Sequence, residues 1–258
     1  MENQRLKDKV VLLTGISSGM GRVMAQLFAG HGATVVGCGQ NEENTAETVR
    51  LVEEDGNRID ATAPVDLASR SDVTAWIEAA VEKYGKVDVL FNNASHPRFA
   101  NFADMSDEDY HYTIRNEVDL VWIASNVAWP YLAQTKGTIV NIGSGAALLG
   151  ARHLPQAAHA AAKGAINALT RQLAAEGVAV GIRVNCINPG VMATPPVLNM
   201  YEQFGEKSPV HAIVERTISG KPGDPMAVAL AGLYFASNES EWVTGASLTV
   251  DGGASAYM

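Results

Sequence analysis

Cysteine occurs only twice in the 258 residues, and aromatic side chains make up 7%. Cys38 and Cys186 both sit in strand-like apolar runs and read as reduced core residues, not as a disulfide or a metal pair, so no metal site is expected. Basic runs are also missing. Against 28 Asp and Glu stand 19 Lys and Arg, a formal charge of -9. That balance argues against a nucleic-acid or anionic-membrane surface and favours a small neutral or amphipathic substrate. No apolar run approaches the roughly 20 residues of a membrane span. The amino-terminal MENQRLKDKVVLLTG passes from polar residues straight into a short apolar strand, without the long apolar core or small-residue cleavage site of a signal peptide. A soluble, cytoplasmic protein is expected.

What is present is a globular composition, 47% apolar and 18% charged. Its length suits one α/β domain spanning 1–258. Short apolar runs alternate with longer helical patterns: Val10 to Leu13, Thr34 to Val36, Ile59 to Ala63, Val87 to Phe91, Thr138 to Ile142, Ile182 to Ile187 and Ser247 to Val250. Strands this continuously apolar are covered on both faces. The pattern therefore predicts a single-domain, Rossmann-like, doubly wound parallel sheet of about seven strands with helices on both faces. The one shift in composition, Val191 to Pro222, carries Pro195, Pro196, Pro209 and Pro222 among Met and aromatic residues and reads as an excursion over a site, at about 191–222.

Two stretches carry chemistry. After the first strand comes Thr14-Gly15-Ile16-Ser17-Ser18-Gly19-Met20-Gly21, followed by an amphipathic helix from Arg22 to Gly30. Glycines at a strand-to-helix turn let the backbone approach a pyrophosphate, and the positive end of the helix faces it. Farther on, His159 and Lys163 stand four apart in an Ala-rich helix, on one face and close enough to feel each other's charge.

These features join in order with others. Asp66 follows the third strand, Asn92-Asn93-Ala94 ends the fourth, and Asn116 lies in the next helical segment. Ser144 follows the fifth strand, Pro189-Gly190 and Thr194 follow the sixth, and Thr244-Gly245 precedes Val250-Asp251-Gly252-Gly253. Over essentially its whole length the chain resembles the short-chain dehydrogenase/reductase family. The resemblance implies an NAD(P)-dependent oxidoreductase that moves a hydride between nicotinamide and a small alcohol or ketone. It assigns Asn116, Ser144, His159 and Lys163 to the catalytic tetrad. It assigns the cofactor to Gly15, Ser17, Ser18, Gly19, Met20, Gly21, Gln40, Asp66, Asn92, Ala94, Lys163, Pro189, Gly190 and Thr194. In the family, Lys also holds the nicotinamide ribose, Ser orients the substrate oxygen, and Asn supports a proton-relay water. As to which dinucleotide, the position where NAD-type members carry an acid is Gly39, and those where NADP-type members often carry Arg are Ser18 and Gln40. A phosphate dianion without a cation loses its strongest bonds, so the balance leans slightly to NAD over NADP.

Three departures stand out. His159 occupies the place of the catalytic Tyr. The interval from Ser144 to His159 is about two residues longer than the family's commonest, which affects the loop Gly145 to Gln156. Ser95 replaces the Gly usual after Asn-Asn-Ala. Beside Lys163 a neutral imidazole is expected at pH 7, a base suited to alcohol oxidation. Its ring ends roughly 2 Å nearer the backbone than a Tyr hydroxyl, so a bridging water or a shifted substrate is expected. Four histories fit these letters: a dehydrogenase using His159 as base; a lyase, isomerase or dehydratase; a dehydrogenase disabled by the exchange; or a catalytically silent dinucleotide-binding protein.

Around the site, His96, Arg98 and Phe99 follow the fourth strand, and Arg152 and His153 lie in the lengthened loop. Arg98 or Arg152 is a candidate holder of a substrate carboxylate; His96 and His153 are lesser candidates for proton transfer. Met192, Leu198, Met200, Tyr201 and Phe204 suggest an apolar lid. Helices predicted over Ser106 to Leu132 and Gln156 to Glu176, with Trp122 and Trp129, resemble the pair through which family members form dimers and tetramers, so a homo-oligomer is expected.

Overall fold

The computed structural model describes residues 4–256. Seven strands form one sheet: β1 Val10–Thr14, β2 Thr34–Cys38, β3 Ile59–Thr62, β4 Val89–Asn92, β5 Thr138–Ile142, β6 Arg183–Pro189 and β7 Ser247–Val250. Their order is β3-β2-β1-β4-β5-β6-β7, with every neighbouring pair parallel. The helices are α1 Gly19–Gly30, α2 Glu42–Glu54, α3 Arg70–Tyr84, α4 Asp107–Ile114, α5 Leu120–Thr135, α6 Ala157–Gly177, α7 Pro195–Phe204, α8 His211–Val214 and α9 Pro225–Ala236. The doubly wound parallel sheet inferred from the apolar runs is the fold observed.

Alternate side chains of a strand point to opposite faces, and β1 shows the consequence. Val10 and Leu12 join a cluster with Trp76 and Ile77 of α3, Val121 and Leu132 of α5 and Ile166 of α6. Val11 and Leu13 join the opposite cluster, with Met24 and Phe28 of α1 and Val228 and Leu233 of α9. Two buried layers thus sandwich the sheet. The chain reverses its winding between β1 and β4, so the loops leaving those two strands part at their carboxyl ends and open a crevice there.

Three differences from the sequence reading bear on the site. The single helix expected over Ser106 to Leu132 is three pieces. Ser106 caps α4 by accepting the Asp109 N–H, Arg115–Asp119 form a π-helical turn, and α5 follows. The wider turn accommodates an extra residue, and both Asn116 and Glu117 face inward. The fourth strand starts at Val89, not Val87, and runs on to Asn92. The excursion after β6 folds into α7, started by Pro195 and Pro196 in its first turn, and the short α8. It returns through a parallel bridge between Met192 and Gly223.

Helix α9 packs closely on the sheet because Gly232 carries no side chain: a Cβ there would lie 2.6 Å from Cζ of Phe91 and 3.3 Å from Cζ of Phe28. Both rings are fully buried. Gly232→Ala is expected to destabilise the protein by about 1–3 kcal/mol through overpacking, read as a lower urea midpoint with an unchanged slope.

Candidate functional site

Two adjoining cavities occupy the crevice. The first, about 530 Å³, runs from the Gly-rich turn past Gly39 and Gln40 on one side and Asp66 on the other to Ala94, Ser95 and Asn116. Gly15, Ser17, Ser18, Gly19, Met20 and Gly21 all line it. The turn is tight. A Cβ on Gly21 would lie 2.1 Å from the Gly15 carbonyl oxygen and 2.6 Å from Nδ2 of Asn93, and one on Gly15 would lie 2.8 Å from Cα of Ala94. Gly15 and Gly19 have φ of 75° and 55°, a conformation that favours glycine. Asn41, Ser69 and Ser106 cap α2, α3 and α4 with their side chains, whereas Ser18 makes no side-chain cap for α1. The first amides of α1 thus border the cavity with no side-chain acceptor from Ser18, a setting that fits the phosphates of a dinucleotide.

The Gly39 end of this cavity, expected to read an adenosine ribose, is built differently from an acid or Arg pocket. A Cβ on Gly39 would lie 2.2 Å from Oγ of Ser17 and 2.5 Å from Oγ1 of Thr45, two hydroxyls that hydrogen-bond at 2.9 Å. Neighbouring Arg22 donates to Thr48 Oγ1, Ser17 O and Asn44 O. At the other end Asp66 accepts from Arg115 at 2.7 Å and from the Ala68 N–H at 2.9 Å. Asn92 does not line the cavity. Its amide is buried and donates to Ser125 and to Asn141, tying β4 to α5 and β5, so the cofactor contact expected of it is corrected to a structural one.

The second cavity, about 500 Å³, shares Met20 and Thr194 with the first and continues past Ser144, His159, Pro189 and Gly190. Phe99, Leu149, Leu154, Val197, Val210 and Ile213 give it apolar walls, and Arg152 and His153 of the long loop also line it. Of the expected lid, Met192 lines this cavity, while Leu198, Met200, Tyr201 and Phe204 do not; Leu198 and Phe204 are half exposed. Arg98 is engaged elsewhere, donating to Asp109 and lying 3.9 Å from the centre of the Tyr112 ring. His96 Nδ1 lies 2.7 Å from the Tyr112 hydroxyl. Neither residue lines the second cavity.

At the junction of the cavities the tetrad positions meet a residue that the sequence reading missed. Ser144 follows β5; its N–H donates to Oδ1 of Asn188 and its Oγ accepts from the Ala146 N–H. Nε2 of His159 lies 3.3 Å from that Oγ. The shorter reach of the ring is thus no obstacle to meeting Ser144. Nδ1 lies 2.8 and 2.9 Å from the two carboxylate oxygens of Glu117, a residue with no solvent exposure. The same carboxylate accepts from the Ser95 hydroxyl and lies 3.6 Å from Nζ of Lys163, which is itself buried and donates to the Ile142 carbonyl. Asn116 donates its amide to the Tyr112 carbonyl, and its own carbonyl accepts from the His96 N–H.

The charge nearest His159 is therefore negative, not the Lys163 cation on which the sequence reading rested. Burial alone would raise the Glu117 carboxyl. The hydrogen bond from His159 and the positive charge of Lys163, with the Ser95 hydroxyl, outweigh burial and hold it below the usual carboxyl range. Glu117 was open to detection. It falls three and four residues before Leu120 and Val121, in the stripe that continues through Ala124 and Ala128, so helical spacing places it on a buried face. A charged residue there needs a partner.

A family model described as enoyl-(acyl carrier protein) reductase matches residues 15–255. The chain is 35% identical to 3-oxoacyl-(acyl-carrier-protein) reductase FabG of Thermotoga maritima, over 96% of this chain and 98% of that one. It is 32% identical to the Thauera aromatica (2S)-((R)-hydroxy(phenyl)methyl)succinyl-CoA dehydrogenase subunit BbsD, over 98% of both. Among solved structures it is similar to levodione reductase, with a TM-score of 0.90 and 25% identity over 98% of this chain and 100% of that one. With the strand order, the crevice and a match over nearly its whole length, the chain belongs to the short-chain dehydrogenase/reductase family.

Proposed function

We propose that the protein is an NAD(P)-dependent oxidoreductase that interconverts a small alcohol and its ketone, with His159 as the group that exchanges the substrate proton. The observation that carries the reading is the 3.3 Å approach of His159 Nε2 to Ser144 Oγ at the mouth of the apolar cavity. A substrate oxygen seated there is within reach of a hydroxyl to orient it and an imidazole to take or give its proton. The dinucleotide supplies the hydride acceptor or donor when bound in the adjoining cavity. Gly15, Ser17, Ser18, Gly19, Met20 and Gly21 cradle its phosphates; Gln40 and Asp66 flank the adenosine end. Ala94, Pro189, Gly190 and Thr194 border the nicotinamide end, and Asn116 lines the same cleft. NAD and NADP both remain within this reading, because Gly39 presents no acid and the cation nearest Ser17, Arg22, is spent on Thr48, Ser17 and Asn44.

The walls formed by Phe99, Leu149, Leu154, Val197, Val210 and Ile213 suit an apolar substrate body, and Arg152 and His153 at the edge suit a polar end. The names of two relatives place an oxygen function near an acyl thioester. A 3-oxoacyl thioester therefore belongs in the substrate panel beside simple alcohols and ketones. We further propose a single domain working in the cytoplasm as a homo-oligomer, with Trp122, half exposed on α5, in the interface. Among the described residues no helix is long and apolar enough to cross a membrane.

Following NAD(P)H absorbance across that panel, the chain is expected to turn over at least one substrate pair, and His159→Gln to lose about 10²–10⁴-fold in kcat/KM. His159→Tyr is expected to gain nothing, because Glu117 would face the phenol and a neighbouring anion disfavours phenolate. Higher activity in the Tyr variant would mean instead that the family's Tyr had been lost, and absence of any redox signal would overturn the oxidoreductase reading.

A further inference from the structure

Two of the three departures from the family pattern touch one side chain. His159, in place of Tyr, and Ser95, in place of Gly, both hydrogen-bond the Glu117 carboxylate. These three residues come from separate elements: the loop after β4, the π-helical turn and α6. A histidine placed alone in a site made for tyrosine would bring neither the buried carboxylate nor the hydroxyl that supports it.

We propose that Glu117 is the positioning residue for proton transfer: its carboxylate keeps Nδ1 of His159 protonated, aims the Nε2 lone pair at Ser144 and the substrate oxygen, and stabilises the imidazolium when Nε2 takes a proton. The proposal deepens the reading of His159 given above and rests on it. In alcohol oxidation the carbinol C–H breaks and its electron pair leaves as hydride to the nicotinamide; the O–H proton passes to Nε2 as the C=O bond forms. The imidazolium then releases that proton to solvent, while Nδ1–H stays on the carboxylate. In the reducing direction the imidazolium is the proton donor, with the Glu117 carboxylate at Nδ1 as its counter-ion.

The geometry also divides labour between charges. Lys163 Nζ and the Glu117 carboxylate face each other at 3.6 Å, so neither charge is left unpaired when the imidazole is neutral. Glu117 from the π-helical turn meets the ring at 2.8 Å, Lys163 from the ring's own helix lies 3.6 Å from that carboxylate, and the Phe99 ring packs edge-on at 5.7 Å between centroids. Arg152, His153, Arg216 and Asp251 line the cavity onto which it opens. Among the described residues only Glu117 meets Nδ1.

The test pairs kinetics with a readout that needs no turnover. In Glu117→Gln, kcat/KM is expected to fall about 10²–10⁴-fold with cofactor affinity little changed, and the pH limb of kcat/KM that reports His159 protonation to move to lower pH. Glu117→Asp, which keeps the charge, is expected to recover part of the rate. Nitrogen-15 NMR of the imidazole is expected to show the Nδ1–H tautomer in the unmodified chain at neutral pH, and loss of that preference in Glu117→Gln. An unaltered rate and pH profile in Glu117→Gln, or an Nε2–H tautomer in the unmodified chain, would overturn the proposal while leaving His159 in its role. If no alcohol or ketone is turned over by any form, the oxidoreductase reading fails, and the tautomer measurement decides the Glu117 proposal alone.

Discussion

An ionised carboxylate shut away from water must find its compensation inside the protein, because removing one partner from a buried ion pair costs on the order of 3–5 kcal/mol. Glu117 has no exposure, and its compensation comes from three directions: the His159 ring, the Lys163 ammonium and the Ser95 hydroxyl. His159 and Lys163 lie on α6 and Ser95 on the loop after β4, so satisfying one charge fixes that loop, the π-helical turn and α6 against one another. The carboxyl is held below its ordinary value. Its contribution to stability is therefore present at neutral pH, above the unfolded value, and is lost as pH falls through the folded one. The same arrangement leaves Nε2 of His159 facing Ser144 and the cavity.

This cluster acts on what the sheet presents. The strand order brings the carboxyl ends of β1 and β4 to the point where winding reverses, and the tight Gly15–Gly21 turn and Ala94 border the resulting cleft. β5 and β6 extend the sheet to Ser144 and to Pro189-Gly190, which line the adjoining apolar cavity. The two cavities thus meet at Met20 and Thr194, residues common to both walls. His159 stands beside that meeting point.

The parallel sheet was readable because strands covered on both faces, such as the wholly buried β1, must be continuously apolar. The Gly-rich turn was readable because close backbone approach demands glycine, and the 2.1 Å clash at Gly21 gives the reason. The electrostatics of His159 are not legible in its own helix. Spacing along one helix names Lys163 as a neighbour, whereas Glu117 arrives from 42 residues away. Local periodicity cannot supply that pairing, although it does place Glu117 on a buried stripe, where a charge requires explanation. The π-helical turn is hidden for a related reason: its inward residues are polar and satisfied by tertiary contacts, and the sequence around them still reads as helix. Asn92 shows the opposite error. Its motif suggested a ligand contact, yet its buried amide ties β4 to α5 and β5.

The arrangement of the site depends on the Glu117–His159 interaction being energetically real. A double-mutant cycle built from Glu117→Gln, His159→Gln and the combined variant, with unfolding free energies from urea titration at neutral pH, measures it directly. A coupling of about 1–3 kcal/mol between the two positions is predicted. Losses that add to within about 0.5 kcal/mol would contradict the account, because the carboxylate and the imidazole would then be neighbours without being partners.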